Sequence, residues 1–551
     1  MYVVNAQQMR EIDRRAITQW GIPGMVLMEN AAKAVISAAT ELLGCPRDSS
    51  SLWLSATILV LAGKGNNGGD GLAIARHLQI LGFVPQVYLF ADPGDLSGDA
   101  LSNYDLFNKM DGKICDARLE ESYRQFGRDV QSCQMVVDAI YGTGFEGELP
   151  EEAARYSKIL NSVCSKSFSS GGGSTSDLLT VLSDCQRPLV VAVDIASGLG
   201  AASGRAAAAA VRADLTVTFG LPKLGHYLGQ GPEYTGKLIL DRISLPEHVI
   251  AAQDIRTKII TADAIREYLP RRERDGHKGT HGCGLIVGGS TGMSGAVILA
   301  GRAALRCGIG LVQIVTPAQV APIVDAGITE GTVWPTWPLD DGGTMDDRAW
   351  SVIAERLAHA QACAVGPGLK QPPQFAEVLE RILNETDIPL ILDADALNLL
   401  VGNMGMLQPR QGQDPQRTNL VMTPHPGEMA RLCNISIAEV QNNRLELALQ
   451  KAAAWNAVLV LKGANTIVAS PTGHAAINTT GNSGLGTGGT GDVLTGCMLA
   501  WLAQGVPSYE AALLAVYLHG QAADFLAADS GGFGFTAGEV ADALPKSRQR
   551  L

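Results

Sequence analysis

The chain has 551 residues, 46% of them hydrophobic and 18% charged, an ordinary globular composition in a chain too long for one core, which predicts about two to four domains. A formal charge of −12, from 43 basic against 55 acidic residues, with no Lys/Arg run, excludes nucleic acid as a partner. The ten cysteines show no CxxC pair and read as reduced thiols of a cytoplasmic protein; an amphipathic, acid-bearing N-terminus and no uninterrupted apolar run of about eighteen residues argue against a signal peptide or a membrane span.

In chain order, residues 1–245 alternate short Val/Ile/Leu-rich runs with longer amphipathic segments. TILVLAG, VPQVYLF, CQMVVDAIYGTG, PLVVAVDIASG and ADLTVTFG are predicted strands of a mostly parallel sheet covered on both faces. The Gly/Ser-rich stretch 165–177 reads as a flexible surface insertion with no assigned role. Residues 246–260 carry weak periodicity and are expected to be a linker. A second α/β series fills 261–551, with GLIVGGSTG, GLVQIVTP, ACAVGPGL, IPLILDADAL, NLVMTPHPGE and AVLVLKGANTIVAS as its strand regions. Its glycine loops differ from those of the first half, so the two domains are not copies.

In the first half, GKGNNGGDG (residues 63–71) nearly matches the dinucleotide fingerprint: Gly63, Gly65 and Gly68 follow a strand, and Asp92 comes later. Asn66, Asn67 and Asp70, however, add amides and a carboxylate where a phosphate cradle would leave bare backbone. Two further strands end in Asp138, followed by Gly142-Thr143-Gly144, and in Asp194, followed by Ser197 and Gly198. All three ends fall on one edge of a parallel sheet, where ligands bind. Glycine-loop amides suit a pyrophosphate, while the side-chain oxygens suit a hard cation or acid–base work. His77, on the following helix, is expected to be a partly exposed surface residue.

GNNGGDG, VDAIYGTGFEGELP, VDIASGL and TFGLPKLGHYLGQG, in that order, resemble the YjeF N-terminal family of NAD(P)H-hydrate epimerases across nearly the whole first half, which implies a Rossmann-like parallel-sheet sandwich. The resemblance implies a substrate hydrated at C6 of the nicotinamide ring, whose R and S epimers are interconverted without hydride transfer. It places Asn66, Asn67, Gly68, Gly69, Asp70, Gly142, Thr143, Gly144, Phe145, Glu146, Gly147, Glu148 and Asp194 at substrate. It assigns Asn67, Asp138 and Ser197 to a potassium ion. Asp194 is the expected proton-transfer group. Ala196 stands where the family usually has proline, which loosens the turn but removes no reacting group.

In the second half, Gly486-Thr487-Gly488-Gly489-Thr490-Gly491-Asp492 precedes an apolar helix, combining an anion site of backbone N–H groups with an adjacent carboxylate. It resembles the anion hole and catalytic base of the ribokinase-like superfamily. Lys462, Gly463, Ala464, Asn465 and Thr466 lie between two strands, and TPHPGE locks His425 between two prolines. With KGTHGCGLIVGGSTGMSGA, GPGL and DADALN, the segment from about 270 to 545 resembles the ADP-dependent NAD(P)H-hydrate dehydratases. The resemblance implies that Ala296, Gly368, His425 and Asp492 meet the hydrated nucleotide, and that Lys462–Thr466 with Gly491 meet ADP, magnesium screening its diphosphate. Lys370 stands where that family often has glycine, and His277 and His281 are not expected to bind metal.

The expected function is repair of hydrated NADH and NADPH (NADHX, NADPHX): epimerisation, then S-specific dehydration with ADP converted to AMP and phosphate, in a homo-oligomer. The rivals are a small-molecule kinase of the hydroxymethylpyrimidine type with an N-terminal ligand-binding module, and a non-enzymatic interaction module in the first half. TPHPGE argues against the first, and intact Asp138 and Asp194 against the second.

Overall fold

The computed structural model describes residues 1–42, 56–164, 187–336, 347–370 and 375–551; the Gly/Ser stretch 165–177 lies outside them. The chain divides into two compact units, Tyr2–Ile255 and, with Met1, Arg256–Leu551.

The first unit holds seven parallel strands: β1 (Thr57–Ala62), β2 (Val84–Leu89), β3 (Lys113–Asp116), β4 (Met135–Ala139), β5 (Leu189–Val193), β6 (Leu215–Phe219) and β7 (Lys237–Asp241), in the order β3-β2-β1-β4-β5-β6-β7. Side chains alternate across a strand, so Ile58, Val60 and Ala62 of β1 enter a core with the helices Ala6–Thr18, Gly24–Leu42 and Asn66–Ile80. Leu59 and Leu61 enter the opposite core with Tyr88, Phe126 and Tyr156. Burial on both faces is why these strands are apolar at nearly every position.

The second unit holds a ten-stranded sheet of β8 (Thr257–Ile259), β9 (Cys283–Val287), β10 (Leu311–Pro317), β11 (Thr332–Thr336), β12 (Ala362–Val365), β13 (Leu390–Leu392), β14 (Leu420–Met422), β15 (Val458–Leu461), β16 (Ile467–Ala469) and β17 (Ala475–Ile477). The order is β11-β10-β9-β12-β13-β14-β15-β16-β17-β8, parallel from β11 to β15 and antiparallel through the β15-β16-β17 meander. One face is covered by the helices Ser294–Arg306, Thr490–Ala503, Ser508–Ser530 and Ala537–Gln549. Ser508–Ser530 is long and apolar enough to cross a membrane by length and composition, but it is mostly buried within this core.

The expected linker 246–260 is instead built into the two units. Val249, Ile250 and Ile255 are buried in the first core, and β8 pairs with β17. A five-residue helix, Glu247–Ala251, and a three-residue strand are too short to show a period in sequence.

Candidate active sites

In the first unit the loops after β1, β4 and β5 open on one edge of the sheet into a cleft of about 620 Å³. The helix Asn66–Ile80 starts inside the GNNGGDG motif, with Gly65 as its N-cap. Gly68 has to be glycine, because a Cβ there would stand 1.8 Å from the Gly63 carbonyl oxygen. Of the residues expected at substrate, Asn66, Asn67, Asp70, Gly142–Glu146 and Asp194 line the cleft. Gly68 and Gly69 are buried beneath it. Gly147 and Glu148 do not line it: Glu148 accepts a 3.0 Å hydrogen bond from the Ala208 N–H, a backbone contact that sequence spacing does not reveal. Asp92 is no ribose acid, since its carboxylate caps a turn by accepting from the Gly94 N–H at 3.0 Å and is more than half exposed. His77 is partly buried and contacts Glu29 at 2.6 Å.

Asp194 directly follows β5 with φ of 65°, a strained conformation for a non-glycine residue of the kind that gathers at functional sites. Its Oδ1 accepts from the Lys223 ammonium, from Thr218 Oγ1 at 3.0 Å and from the Phe219 N–H at 3.1 Å. Lys223 is fully buried and also donates to Thr218 Oγ1 and the Phe219 carbonyl, both at 2.9 Å. His226 accepts from the Lys223 N–H through Nδ1 at 3.1 Å and places Nε2 3.1 Å from the Asp194 carbonyl. Burial, then the Lys223 charge, pushes its pKa down to about 3, so the ring is neutral. Beneath the cleft Asp138 is fully buried; it accepts from Ser197 Oγ at 2.6 Å and the Ser197 N–H at 2.7 Å, and burial nevertheless pushes its pKa up to about 6. Asn67 packs its side chain against Gly142, and its buried Nδ2 has no hydrogen-bond partner among the described residues.

Sequence reasoning did not single out Lys223, His226 or Asp13. The first two lie inside the quoted TFGLPKLGHYLGQG motif, which was the available signal. Asp13 belongs to the helix Ala6–Thr18, whose Arg10, Asp13 and Ile17 face the cleft at helical spacing.

In the second unit, the glycine loop ends at Gly489, the N-cap of the helix Thr490–Ala503, with φ of 91°; a β-carbon is disfavoured there. Gly486, Thr487 and Gly488 are exposed; the Gly486 N–H is taken by the Ser483 carbonyl at 3.0 Å, and the first-turn N–H groups of the helix lie at the positive end of its dipole, which suits an anion. Asp492 sits in its first turn. Burial, reinforced by Asp393 and opposed by Lys462, pushes its pKa up to about 7.

Lys462, after β15, donates to Asp393 Oδ1 at 2.7 Å and lies 3.9 Å from Glu428. Asp393, directly after β13, also accepts from Thr495 Oγ1 at 2.7 Å. Burial alone would push Asp393 up, but Lys462, Thr495 and Thr423 hold it below the ordinary carboxylate range. The lysine expected to meet nucleotide is thus already committed to a carboxylate, and a Cβ at Gly491 would stand 3.7 Å from its Nζ. Gly463, Ala464, Asn465 and Thr466 form the following turn, braced by buried Arg444, which donates to the Leu461 carbonyl at 3.0 Å and the Lys462 carbonyl at 3.3 Å.

His425 caps the helix Pro426–Cys433, accepting through Nδ1 from the Gly427 and Glu428 N–H groups at 3.0 and 3.4 Å. Its proton is therefore on Nε2, and its half-exposed ring can donate to a ligand. Gly368 has φ of 60°, and a Cβ there would meet Ala296 Cβ at 2.9 Å, so these two predicted contacts are neighbours. Lys370 has φ of 55°, which accounts for glycine as the family's usual residue there. Sequence reasoning missed Asp393, although DADALN was noted, and Glu428, whose capping box with His425 gave it a complete structural reading.

Comparison with known proteins bears on both units. Residues 24–225 match the family model described as YjeF-related protein N-terminus, and residues 284–546 match the one described as NAD(P)H-hydrate dehydratase. The bifunctional NAD(P)H-hydrate repair enzyme of Moorella thermoacetica is 39% identical over 545 residues, covering 99% of this chain and 96% of that one. The enzyme of the same name from Thermofilum pendens is 34% identical over 553 residues, covering 100% and 97%. A crystal structure of an ADP/ATP-dependent NAD(P)H-hydrate dehydratase from Bacillus subtilis is 35% identical, covering 53% of this chain and 98% of that one, with a TM-score of 0.44. With both halves matched in order and relatives aligned over essentially the full length, the chain belongs to the family of bifunctional NAD(P)H-hydrate repair enzymes.

Proposed function

We propose that the first unit interconverts the R and S C6 epimers of hydrated NADH and NADPH, and that the second dehydrates the S epimer at the expense of ADP. The observation that carries this reading is the pairing, on one chain, of a cleft lined by Asp194 and the Asn-Gly-Asp loop with a helix-terminus anion site beside Asp492.

In the first cleft, exposed Arg10 and Lys64 suit the pyrophosphate, and Asn66 and the Gly142–Glu146 loop suit the nicotinamide end. Protonation of the C6 hydroxyl breaks the C6–O bond, water leaves, and the ring nitrogen's lone pair stabilises the cation. Water adds to the opposite face and returns the proton. Asp194 would stabilise the cation and take part in that proton transfer. Asn67, Asp138 and Ser197 fit potassium, since all offer oxygens suited to a hard cation. Potassium there would offset negative charge and tie the Asn-Gly-Asp loop to the two strand ends.

In the second unit, Asp492 would remove the C6 hydroxyl proton as that oxygen attacks the β-phosphorus of ADP and the bond to the α-phosphate oxygen breaks, releasing AMP. Loss of phosphate from C6 with a proton from C5 restores the dihydronicotinamide. Gly486–Gly491 would receive phosphate charge, His425 Nε2 would donate to the substrate amide, and Ala296 and Gly368 would pack against the ring. Magnesium carried on the diphosphate and water would screen phosphate charge.

The test is incubation of the chain with mixed R and S hydrate and ADP. Complete recovery of dihydronicotinamide absorbance with AMP matching it is expected. Accumulation of a stable phosphorylated product would instead mark the kinase reading.

A further inference from the structure

Five carboxylates, Asp13, Asp70, Asp99, Glu146 and Asp194, share the first cleft with Lys223. An ammonium has three donors, and those of Lys223 go to Asp194 Oδ1, Thr218 Oγ1 and the Phe219 carbonyl. None remains for Asp13 or Asp70. Asp13 Oδ1 is buried and has no hydrogen-bond partner among the described residues. An unpaired buried carboxylate is costly, whereas a neutral carboxylic acid is tolerated. His226 is occupied at both ring nitrogens, and Asp194 Oδ1 already accepts three donors, so a proton carried by Asp194 has to sit on Oδ2.

We propose that Asp13 delivers the proton to the leaving C6 hydroxyl in epimerisation and takes it back from the incoming water. The inference rests on the epimerase reading of this cleft and adds a residue that precedes the matched segment 24–225. The proton moves from the Asp13 carboxyl to the C6 oxygen as the C6–O bond breaks, and the water that forms the new bond returns one proton, so the residue ends as it began. Burial, opposed by Lys223 and reinforced by Asp194, pushes Asp13 up to about 6, and burial with Asp194 and Asp13 pushes Asp70 well above the ordinary range. Both shifts favour the neutral acid relative to an ordinary aspartate, and a donor tuned toward the working pH is the most effective kind.

The test compares Asp13→Asn and Asp13→Glu in the full chain, with purified R hydrate as substrate and S hydrate plus ADP as the internal control. Asp13→Asn is expected to lower the kcat for R hydrate by about a hundredfold, leave its KM within about twofold and leave S dehydration unchanged. Asp13→Glu, which keeps the carboxyl, is expected to recover at least about a tenfold part of that loss. Epimerisation by Asp13→Asn within about threefold of wild type would overturn the proposal. So would equal loss in both variants, which would make Asp13 structural. Failure of the wild-type chain to consume R hydrate faster than it epimerises spontaneously would overturn the underlying epimerase reading instead.

Discussion

The two units place the same pair of residues at the end of a central strand and use it differently. In the first, Lys223 is bound to Asp194; in the second, Lys462 is bound to Asp393. Each aspartate is at, or next to, a strained non-glycine position, with φ of 65° at Asp194 and 51° at Ala394. Beside each pair stands a carboxylate pushed up by burial: Asp13 and Asp70 in the first, Asp492 in the second. Both units start a helix from a glycine loop, Asn66–Ile80 in the first and Thr490–Ala503 in the second, but the first loop carries the side-chain amides of Asn66 and Asn67 where the second exposes Gly486, Thr487 and Gly488. Epimerisation needs only a proton and a stabilised cation. Phosphoryl transfer must also accommodate phosphate charge.

The largest expected break in this comparison is Asp492→Asn. The side chain is nearly isosteric but cannot accept the hydroxyl proton, so dehydration of S hydrate should fall by about a hundredfold or more while epimerisation is untouched. Dehydration within about threefold of wild type would end its assignment as the base. Asp194→Asn is the mirror case, with a loss of about thirtyfold or more, within the span of acid–base effects, confined to consumption of R hydrate. A drop in S dehydration would show that its role is not local.

A smaller effect separates the bases by pH. Asp492 must be ionised to accept a proton, and its pKa is raised to about 7. Dehydration measured by kcat/KM should therefore rise through pH 7 and fall by roughly tenfold per unit well below it. A flat profile between pH 5 and 8 would contradict that role. The smallest effect concerns Lys370, held at φ of 55°. Lys370→Gly should raise the stability of the second unit by up to about 1 kcal/mol, because relief of a left-handed β-carbon slightly outweighs the added chain entropy. Calorimetry showing a lower melting temperature would reverse that sign.

What the sequence revealed follows from burial. The central strands were legible because both faces are covered, and their loaded ends, Asp138 and Asp194, followed from the run that preceded them. The overlooked strands β3, β7, β8 and β11 are sheet edges, and β3, β7 and β11 are partly exposed at nearly every position, so no continuous apolar run announces them. β17 is a three-residue strand in an antiparallel meander. At the sites, residues close in sequence to a glycine loop could be read. Lys223 and Asp393 could not, because their meaning lies in partners 29 and 102 residues away, Asp194 for Lys223 and Thr495 for Asp393, and Asp13 could not, because the cleft it faces is built from loops far along the chain.

If each unit does its own chemistry, S hydrate made by one chain can be dehydrated by another. Mixing Asp194→Asn chains with Asp492→Asn chains tests it directly, with purified R hydrate and ADP supplied and dihydronicotinamide absorbance followed. Each variant alone should convert R hydrate only slowly, and the mixture should restore conversion to within a fewfold of wild type; a mixture no faster than the sum of its two components would contradict the account.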